Sequence, residues 1–424
     1  MLIEMSVTNF RSFRETQTFT LVKGGGDEMV ATHTFNVVAA NNNIVLLRST
    51  AIYGPNASGK SNLLLALQTM RQIVLESALN LQRGDKLPVT PFRLSPDTRQ
   101  HPSKFEVTFL VGSVRYQYGF AATAERIHEE WLRAYPKSRT QRWFSRAWNP
   151  ENQRYDWELG TNLTGEKPLW QRATRDNALF LSTAVQLNSE QLQPVFDWFK
   201  NTLRPANMGG WGPTFSASLC ESSDKARIMD FLRAADLPID DILVESRSFG
   251  PEALPTDMPE PLRNVIAGNM KDKKIFDIKS VHKDDDGKPV TFDFEDESDG
   301  TRKLFSFAGL WIDSLTNGHV LLIDELHDNL HPHLVQFLVQ LFNHPQTNPN
   351  NAQLIFTTHE TSILNKDVLR RDQIWFCEKD KRQATLLYPM KNFSPHKSQE
   401  NLERSYRLGR YGALPFIRSL KQTG

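Results

Sequence analysis

Residues Gly54 to Ser61 read GPNASGKS. They fit the phosphate-cradling pattern Gly-x-x-x-x-Gly-Lys-Ser, and the setting matters more than the pattern. The apolar run Val45-Leu46-Leu47 … Ala51-Ile52-Tyr53 comes before the loop, and a helix-like run from Asn62 to Thr69 comes after it. Such a loop works when a strand delivers it and a helix N-terminus follows, so that successive backbone N–H groups face a phosphate. Gly54 and Gly59 allow close backbone approach, with Pro55, Asn56, Ala57 and Ser58 between them. Lys60 is expected to reach the β- and γ-phosphates. The Ser61 hydroxyl is expected to hold Mg²⁺, with Asn62 closing the binding segment.

The totals describe an ordinary globular chain. It has 424 residues, 39% hydrophobic and 23% charged, with a formal net charge of +1. That balance argues against an overall polyanion-binding surface. Cys220 and Cys377 are the two cysteines and lack metal-ligand spacing, so they read as idle thiols of a reducing cytosol. No apolar stretch approaches the ~18 residues needed to span a bilayer. The opening MLIEMSVTNFRSF lacks the form of a secretory signal, so a cytoplasmic protein is expected.

Working outward, residues 2–20 alternate apolar and polar as opening strands. Lys104 to Ala121 reads as a hairpin turning near Gly112-Ser113. Residues 175–235 read as mainly helical, with Pro194 in a helix's first turn and Val195, Phe196, Trp198 and Phe199 on its apolar face. Residues 250–300 read as loop-rich, with Asp284 to Asp286 in an exposed turn. Val320 to Ile323 and Leu354 to Thr357 are short continuous apolar runs, as buried parallel strands require. The helix between them should bury Leu334, Phe337, Leu338 and Leu341. The expected division is therefore a nucleotide core in two halves, 1–122 and 291–395. A mixed, mainly helical insertion (123–290) separates them, and a basic tail (396–424) follows.

Three further motifs lie in the second half. Glu297-Ser298-Asp299-Gly300-Thr301-Arg302-Lys303 opens an amphipathic helix, and its Ser298 and Gly300 make another anion-binding end. The strand Val320 to Ile323 ends in Asp324-Glu325. Asp324 is expected to hold Mg²⁺ through water or Ser61, and Glu325 to polarise the water that attacks the γ-phosphate. The strand Leu354 to Thr357 ends in Thr358-His359, and His359 is placed to sense the γ-phosphate. Lys60, Glu325 and His359 are thus the candidate catalytic residues.

Four such motifs in this order resemble the ABC-type ATPases of the SMC, RecF and OLD branch. Asn9-Phe10-Arg11-Ser12-Phe13 also resembles the opening strand of RecF-like members. Segments such as AIYGPNASGKSNLL, IDELHDNLHPHL, FTTHE and ERSYRLGRYGALPF resemble OLD-like AAA ATPases of bacterial phage defence. The RloA and AbiL groups are the nearest named, and the PARIS and Septu ATPases look related. The implied fold is α/β: an ABC-type P-loop core split by a largely helical insertion. The resemblance implies two ATP sandwiched between two protomers, with Mg²⁺, where Ser298 and Gly300 meet the γ-phosphate held by the partner's loop. Asp328 to His331 falls where relatives cross the dimer interface. A homodimer, or a higher oligomer of dimers, follows from the resemblance. So does an antiphage, abortive-infection sensor or scaffold that controls a separate nuclease or toxin. The alternatives are a RecF- or SMC-like DNA-binding ATPase of repair, or a slow nucleotide-gated assembly platform.

Several features keep two readings. His327, His331 and His333 could mark a zinc site or an interface loop. Residues 126–148 alternate cations (Arg126, Arg133, Lys137, Arg139, Arg142, Arg146) with aromatics (Trp131, Tyr135, Trp143, Phe144, Trp148). This suits nucleic acid, but it also suits strands with one solvated face. Glu378 and Asp380 read as a nuclease remnant or as a turn. Arg404, Arg407, Arg410, Arg418 and Lys421 read as a partner or DNA contact or as a solvated helix face.

Overall fold

A computed structural model describes residues 1–39, 42–137, 139–206, 212–249, 258–270, 274–394 and 400–415. The chain forms two compact units. The first comprises Met1–Met208, Leu315–His327 and Leu338–Gly424; the second comprises Gly209–Ser314 and Asp328–Phe337. Arg418 and Lys421, and Pro251 and Pro255 of the loop-rich stretch, lie outside the described residues.

The first unit contains two large sheets. Its first ten strands are β1 (Leu2–Thr8), β2 (Gln17–Thr20), β3 (Thr34–Ala39), β4 (Asn42–Leu47), β5 (Ser49–Tyr53), β6 (Ser103–Val111), β7 (Val114–Ala122), β8 (Ile127–Tyr135), β9 (Gln141–Asn149) and β10 (Arg154–Leu159). An antiparallel sheet runs β10-β9-β8-β7-β6-β1-β2. The expected hairpin is β6 and β7, turning at Gly112 with φ +57°. The sheet continues beyond residue 122 through three more strands, so the stretch 123–290 opens with strands and turns helical after Lys167.

The second sheet carries the phosphate loop. With β11 (Leu203–Pro205), β15 (Val320–Ile323), β16 (Gln353–Thr357), β17 (Ile374–Lys379) and β18 (Thr385–Pro389), its order is β11-β15-β16-β5-β17-β18. All neighbours are parallel except the β17–β18 hairpin. Every residue of β5, β15 and β16 is buried. A sheet covered on both faces needs continuous apolar runs, which is why these segments show no alternation. This is an α/β core whose parallel sheet takes strands from both the early and the late parts of the chain.

The apolar run ahead of the loop is two strands rather than one. β4 pairs with β3 in its own ribbon, while β5 joins the parallel sheet. The break falls at Arg48, whose Nη1 donates to Asn348 O at 2.9 Å. The helix Lys60–Glu76 buries Leu63, Leu67, Met70 and Val74, spaced as one helical face, in the main core cluster with Met5, Phe10, Phe13 and Phe120. Fully burying each such side chain contributes about 1.5–3 kcal/mol. Gln353, fully buried, accepts from Leu2 N at 2.7 Å and donates to Leu2 O at 3.0 Å, which ties β1 to β16.

Within the antiparallel sheet, many charges of the 126–148 stretch meet carboxylates. Arg146 and Glu130 form a fully buried ion pair at 2.9 Å. Glu130 also accepts from Phe180 N at 2.7 Å, Leu181 N at 3.0 Å and the Tyr118 hydroxyl at 3.1 Å. Arg142 pairs with Glu158, and Arg126 with Asp176 at 3.7 Å while lying over the Trp148 ring. Trp143 and Phe144 are both buried, because a register shift at Leu132/Arg133 interrupts the alternation. Pro194 opens the short helix Gln193–Asp197, and the Trp198–Thr202 turn extends it, with Val195, Trp198 and Phe199 buried.

The helix Pro332–Asn343 buries Leu338 as expected, but with Val335, Val339 and Phe342, while the expected Leu334, Phe337 and Leu341 are half-buried. Both sets satisfy helical spacing. His333, Gln336 and Gln340 line one polar stripe, but the apolar arc opposite covers more than half of the helix, so periodicity leaves the position of its inner face open.

The second unit holds a three-stranded antiparallel sheet of β12 (Asp241–Ser248), β13 (Lys274–Lys283) and β14 (Pro289–Asp293). The region expected to be loop-rich therefore supplies a hairpin. Its turn is the exposed acidic run, where Asp284 Oδ1 accepts from Asp286 N and Lys288 N. The helices Thr214–Cys220 and Asp299–Asn317 meet at Gly309, whose N–H donates to Ser216 Oγ at 3.0 Å. A Cβ at Gly309 would lie 2.8 Å from that oxygen, so only glycine allows this approach.

Candidate functional site

β5 ends at Tyr53 and the helix begins at Lys60, so the loop Gly54–Gly59 leads straight onto a helix N-terminus. Gly54 (φ +155°), Ala57 (φ +61°) and Gly59 (φ +108°) turn the chain there. A Cβ on Gly54 would collide with Cys377 O, and one on Gly59 with the Thr385 side chain. Ala57 has the left-handed conformation despite its Cβ. The loop therefore holds a conformation disfavoured for an alanine, as at functional sites.

Lys60 is only 5% exposed. Its ammonium donates to Gly54 O at 2.9 Å and Pro55 O at 3.2 Å, and lies 3.1 Å from His359 Nε2. Burial lowers its pKa, opposed by the nearby Cys377, Glu325 and Asp324. Since an ammonium only donates, His359 Nε2 is the acceptor and the imidazole carries its proton on Nδ1. Burial, then Lys60 and His327, push the His359 pKa down to about 4, against a raising influence from Asp324. His359 is a neutral ring at pH 7.

The acidic pair faces the same point. Asp324 Oδ1 accepts from Ser61 Oγ at 3.1 Å and from Thr357 Oγ1 at 2.6 Å. Thr357 in turn accepts from Glu325 N at 2.8 Å. Parallel strands β15 and β16 place Asp324 and Thr357 at adjacent C-terminal ends, next to β5. This is where open α/β sheets bind ligands. Glu325 lies just beyond β15 with φ +49°, and its carboxylate is 3.9 Å from His359 Nε2. His327 Nδ1 accepts from His359 N at 3.4 Å.

These contacts bring Lys60, Ser61, Asp324, Glu325 and His359 together. The oxygen pair Ser61–Asp324 is the hard donor set that a magnesium ion prefers, so the residues fit Mg²⁺. The Asn62 side-chain amide donates to Ser12 Oγ at 2.7 Å.

Ser298 and Gly300 are in the second unit. Ser298 Oγ accepts from Thr301 N at 3.1 Å, so it caps the helix Asp299–Asn317 as expected. A Cβ on Gly300 would approach Asn329 O at 3.0 Å. Lys303 donates to Asp328 O and lies 3.7 Å from the Asp328 carboxylate. The helix start and residues 328–329 thus form one cluster.

Glu378 and Asp380 are structural. Glu378 accepts from Ala413 N at 3.0 Å, and Asp380 Oδ1 caps the β17–β18 turn through Arg382 N and Ala384 N. In the tail, Arg407 pairs with Glu403 and Arg410 with Glu400. Thr357 is a site residue that no sequence pattern singled out, beyond the doubled threonine before His359.

A family model described as "AAA domain, putative AbiEii toxin, Type IV TA system" matches residues 49–365, about three quarters of the chain. The chain belongs to this AAA family. The matched span begins at β5 and ends just beyond His359, so it contains the phosphate loop, the Ser298 helix, the acidic pair and the histidine. Comparison with curated proteins finds no match. Among solved structures, this AAA chain is similar to the SMC head domain from Thermotoga maritima, with 12% identity, 92% of this chain and 98% of that one covered, and a TM-score of 0.38. An SmcHead bound to the C-winged helix domain of ScpA gives 12% identity, 92% and 97% coverage, and a TM-score of 0.40. The Smc head with an extended coiled coil, bound to the C-terminal domain of ScpA derived from Pyrococcus furiosus, gives 10% identity, 96% and 98% coverage, and 0.38. No described helix is long and apolar enough to cross a membrane.

Proposed function

We propose that the chain is a Mg²⁺-dependent ABC-type ATPase that closes as a homodimer around ATP. It acts as the sensor or scaffold of an antiphage, abortive-infection system in which a separate nuclease or toxin does the damage. The observation that carries the ATPase reading is the meeting of Lys60, Ser61, Asp324, Glu325 and His359 at the ends of three parallel strands. The AAA family supports it, and that family's description as a putative AbiEii toxin of a type IV TA system supports the abortive-infection reading.

In this mechanism Lys60 exchanges Gly54 and Pro55 carbonyls for phosphate oxygens. Ser61 and Asp324 would hold Mg²⁺, which would supply charge neutralisation at the phosphates. Glu325 orients the attacking water and takes up its proton. Once Lys60 turns to the phosphates, His359 Nε2 no longer accepts from it, and a neutral ring that moves its proton from Nδ1 to Nε2 through solvent can donate to a phosphate oxygen. Ser298 and Gly300 of one protomer close on the nucleotide of the other, so the γ-phosphate favours the closed state and its loss releases it.

The test is hydrolysis of MgATP by the wild type, Lys60→Ala and Glu325→Gln. Wild-type turnover abolished in both variants supports the reading. Native-rate hydrolysis by Glu325→Gln contradicts it. Cleavage of nucleic acid by the purified chain alone in Mg²⁺ or Mn²⁺ would contradict the separate effector.

A further inference from the structure

We infer that Thr385 is a positioning residue for the phosphate loop, acting through its hydroxyl's hold on the Ser58 carbonyl, which turns the Gly59 N–H toward the ligand. The inference rests on the nucleotide reading above and adds a residue to it. Thr385 lies 325 residues beyond Lys60 in sequence, at the start of β18, and is 1% exposed.

Four groups meet there. Thr385 Oγ1 donates to Ser58 O at 2.7 Å. Its hydroxyl lies 2.8 Å from Ser12 Oγ. Ser12 Oγ accepts from Asn62 Nδ2 at 2.7 Å. Lys379 Nζ donates to Thr385 Oγ1 at 3.2 Å. A hydroxyl has one proton to give. Thr385 therefore gives that proton either to the Ser58 carbonyl or to Ser12 Oγ, and the carbonyl contact is the shorter, at 2.7 Å against 2.8 Å. Ser12 Oγ takes the Asn62 amide proton, which ties the start of the helix to the same cluster. The backbone reinforces it, since Thr385 N donates to Ser12 O at 2.8 Å.

The consequence follows from peptide geometry. In a trans peptide the C=O and the next N–H point opposite ways. Holding Ser58 O against Thr385 aims the Gly59 N–H away from Thr385. Gly59 also presses on the clasp, since a Cβ there would lie 2.7 Å from Ser12 Oγ and 2.9 Å from Thr385 Cγ2. A loop whose amides are fixed before the phosphate arrives need not be ordered on binding, and that raises affinity. The NFRSF turn and the last hairpin thus both set the geometry of a loop distant from them in sequence.

The test compares Thr385→Val with Thr385→Ser. Valine keeps the shape and removes the proton, leaving Ser58 O unpaired. Serine keeps the proton. The expected result is a Kd for MgATP weakened about tenfold in the valine variant and about wild-type in the serine variant. Without nucleotide, amide exchange across residues 54–63 should rise in the valine variant only. Should Thr385→Val fail to fold, Ser12→Ala removes the oxygen that takes the Asn62 amide proton and touches the Thr385 hydroxyl, and it should raise exchange in the same segment. Unchanged exchange and affinity in the valine variant, or equal loss in both variants, would overturn the inference. If the wild type itself bound no MgATP, the nucleotide reading would fail, and the exchange comparison alone would decide whether Thr385 orders the loop.

Discussion

Ser61 Oγ donates to Asp324 Oδ1 at 3.1 Å, although 263 residues separate them. The same oxygen accepts from Thr357, so one carboxylate joins the phosphate-loop helix to the ends of β15 and β16. Asp324→Asn keeps an acceptor for both hydroxyls and removes the charge. The expected outcome is a folded protein that needs at least tenfold more Mg²⁺ for half-maximal ATP turnover. A magnesium titration at fixed ATP checks it.

Lys60 is held by two loop carbonyls and His359 when no phosphate is near. Lys60→Ala removes the only cation of the loop itself and should weaken ATP binding by about a hundredfold or more, as losing a desolvated charged contact does. Calorimetric binding, with a thermal melt as control, measures this.

The loop and the acidic pair were legible because their chemistry is local. Gly54, Gly59, Lys60 and Ser61 are consecutive positions of one pattern, and Asp324-Glu325 follows four apolar residues. The clasp was not legible, since Ser12, Ser58, Asn62 and Thr385 are small polar residues scattered over most of the chain. The 126–148 stretch kept two readings because Trp143 and Phe144 are consecutive, as neither simple alternation nor an exposed stacking surface requires. Only the register shift in β8–β9 shows both facing inward. Val335 and Leu334 could not be ranked from a helix whose apolar arc covers more than half of its circumference.

Glu130 and Arg146 give a prediction about stability alone. Glu130→Ala leaves the fully buried Arg146 uncompensated and unpairs Phe180 N and Leu181 N. The expected loss is about 3–5 kcal/mol. Denaturant unfolding measures it. Replacing both partners with apolar residues should recover part of the loss, because the stranded charge is then gone.

His359 carries a pH dependence whose sign is fixed. Its folded pKa is about 4 against an ordinary 6.5, so between these values the unfolded chain binds more protons. Stability without nucleotide should be full above about pH 6.5 and fall as pH drops toward 4. His359→Asn should flatten that part of the profile. Parallel melts of both proteins from pH 4 to 7 check it.

The central claim is that two copies close around shared nucleotide, each supplying Ser298 and Gly300 to the other's loop. Glu325→Gln should bind ATP and leave it uncut, so the closed form should accumulate. The most direct measurement is the solution mass of Glu325→Gln by light scattering with saturating MgATP. The account predicts a mass at least twice that of the single chain, returning to the single-chain mass when Lys60→Ala is added. A single-chain mass with nucleotide bound would contradict it.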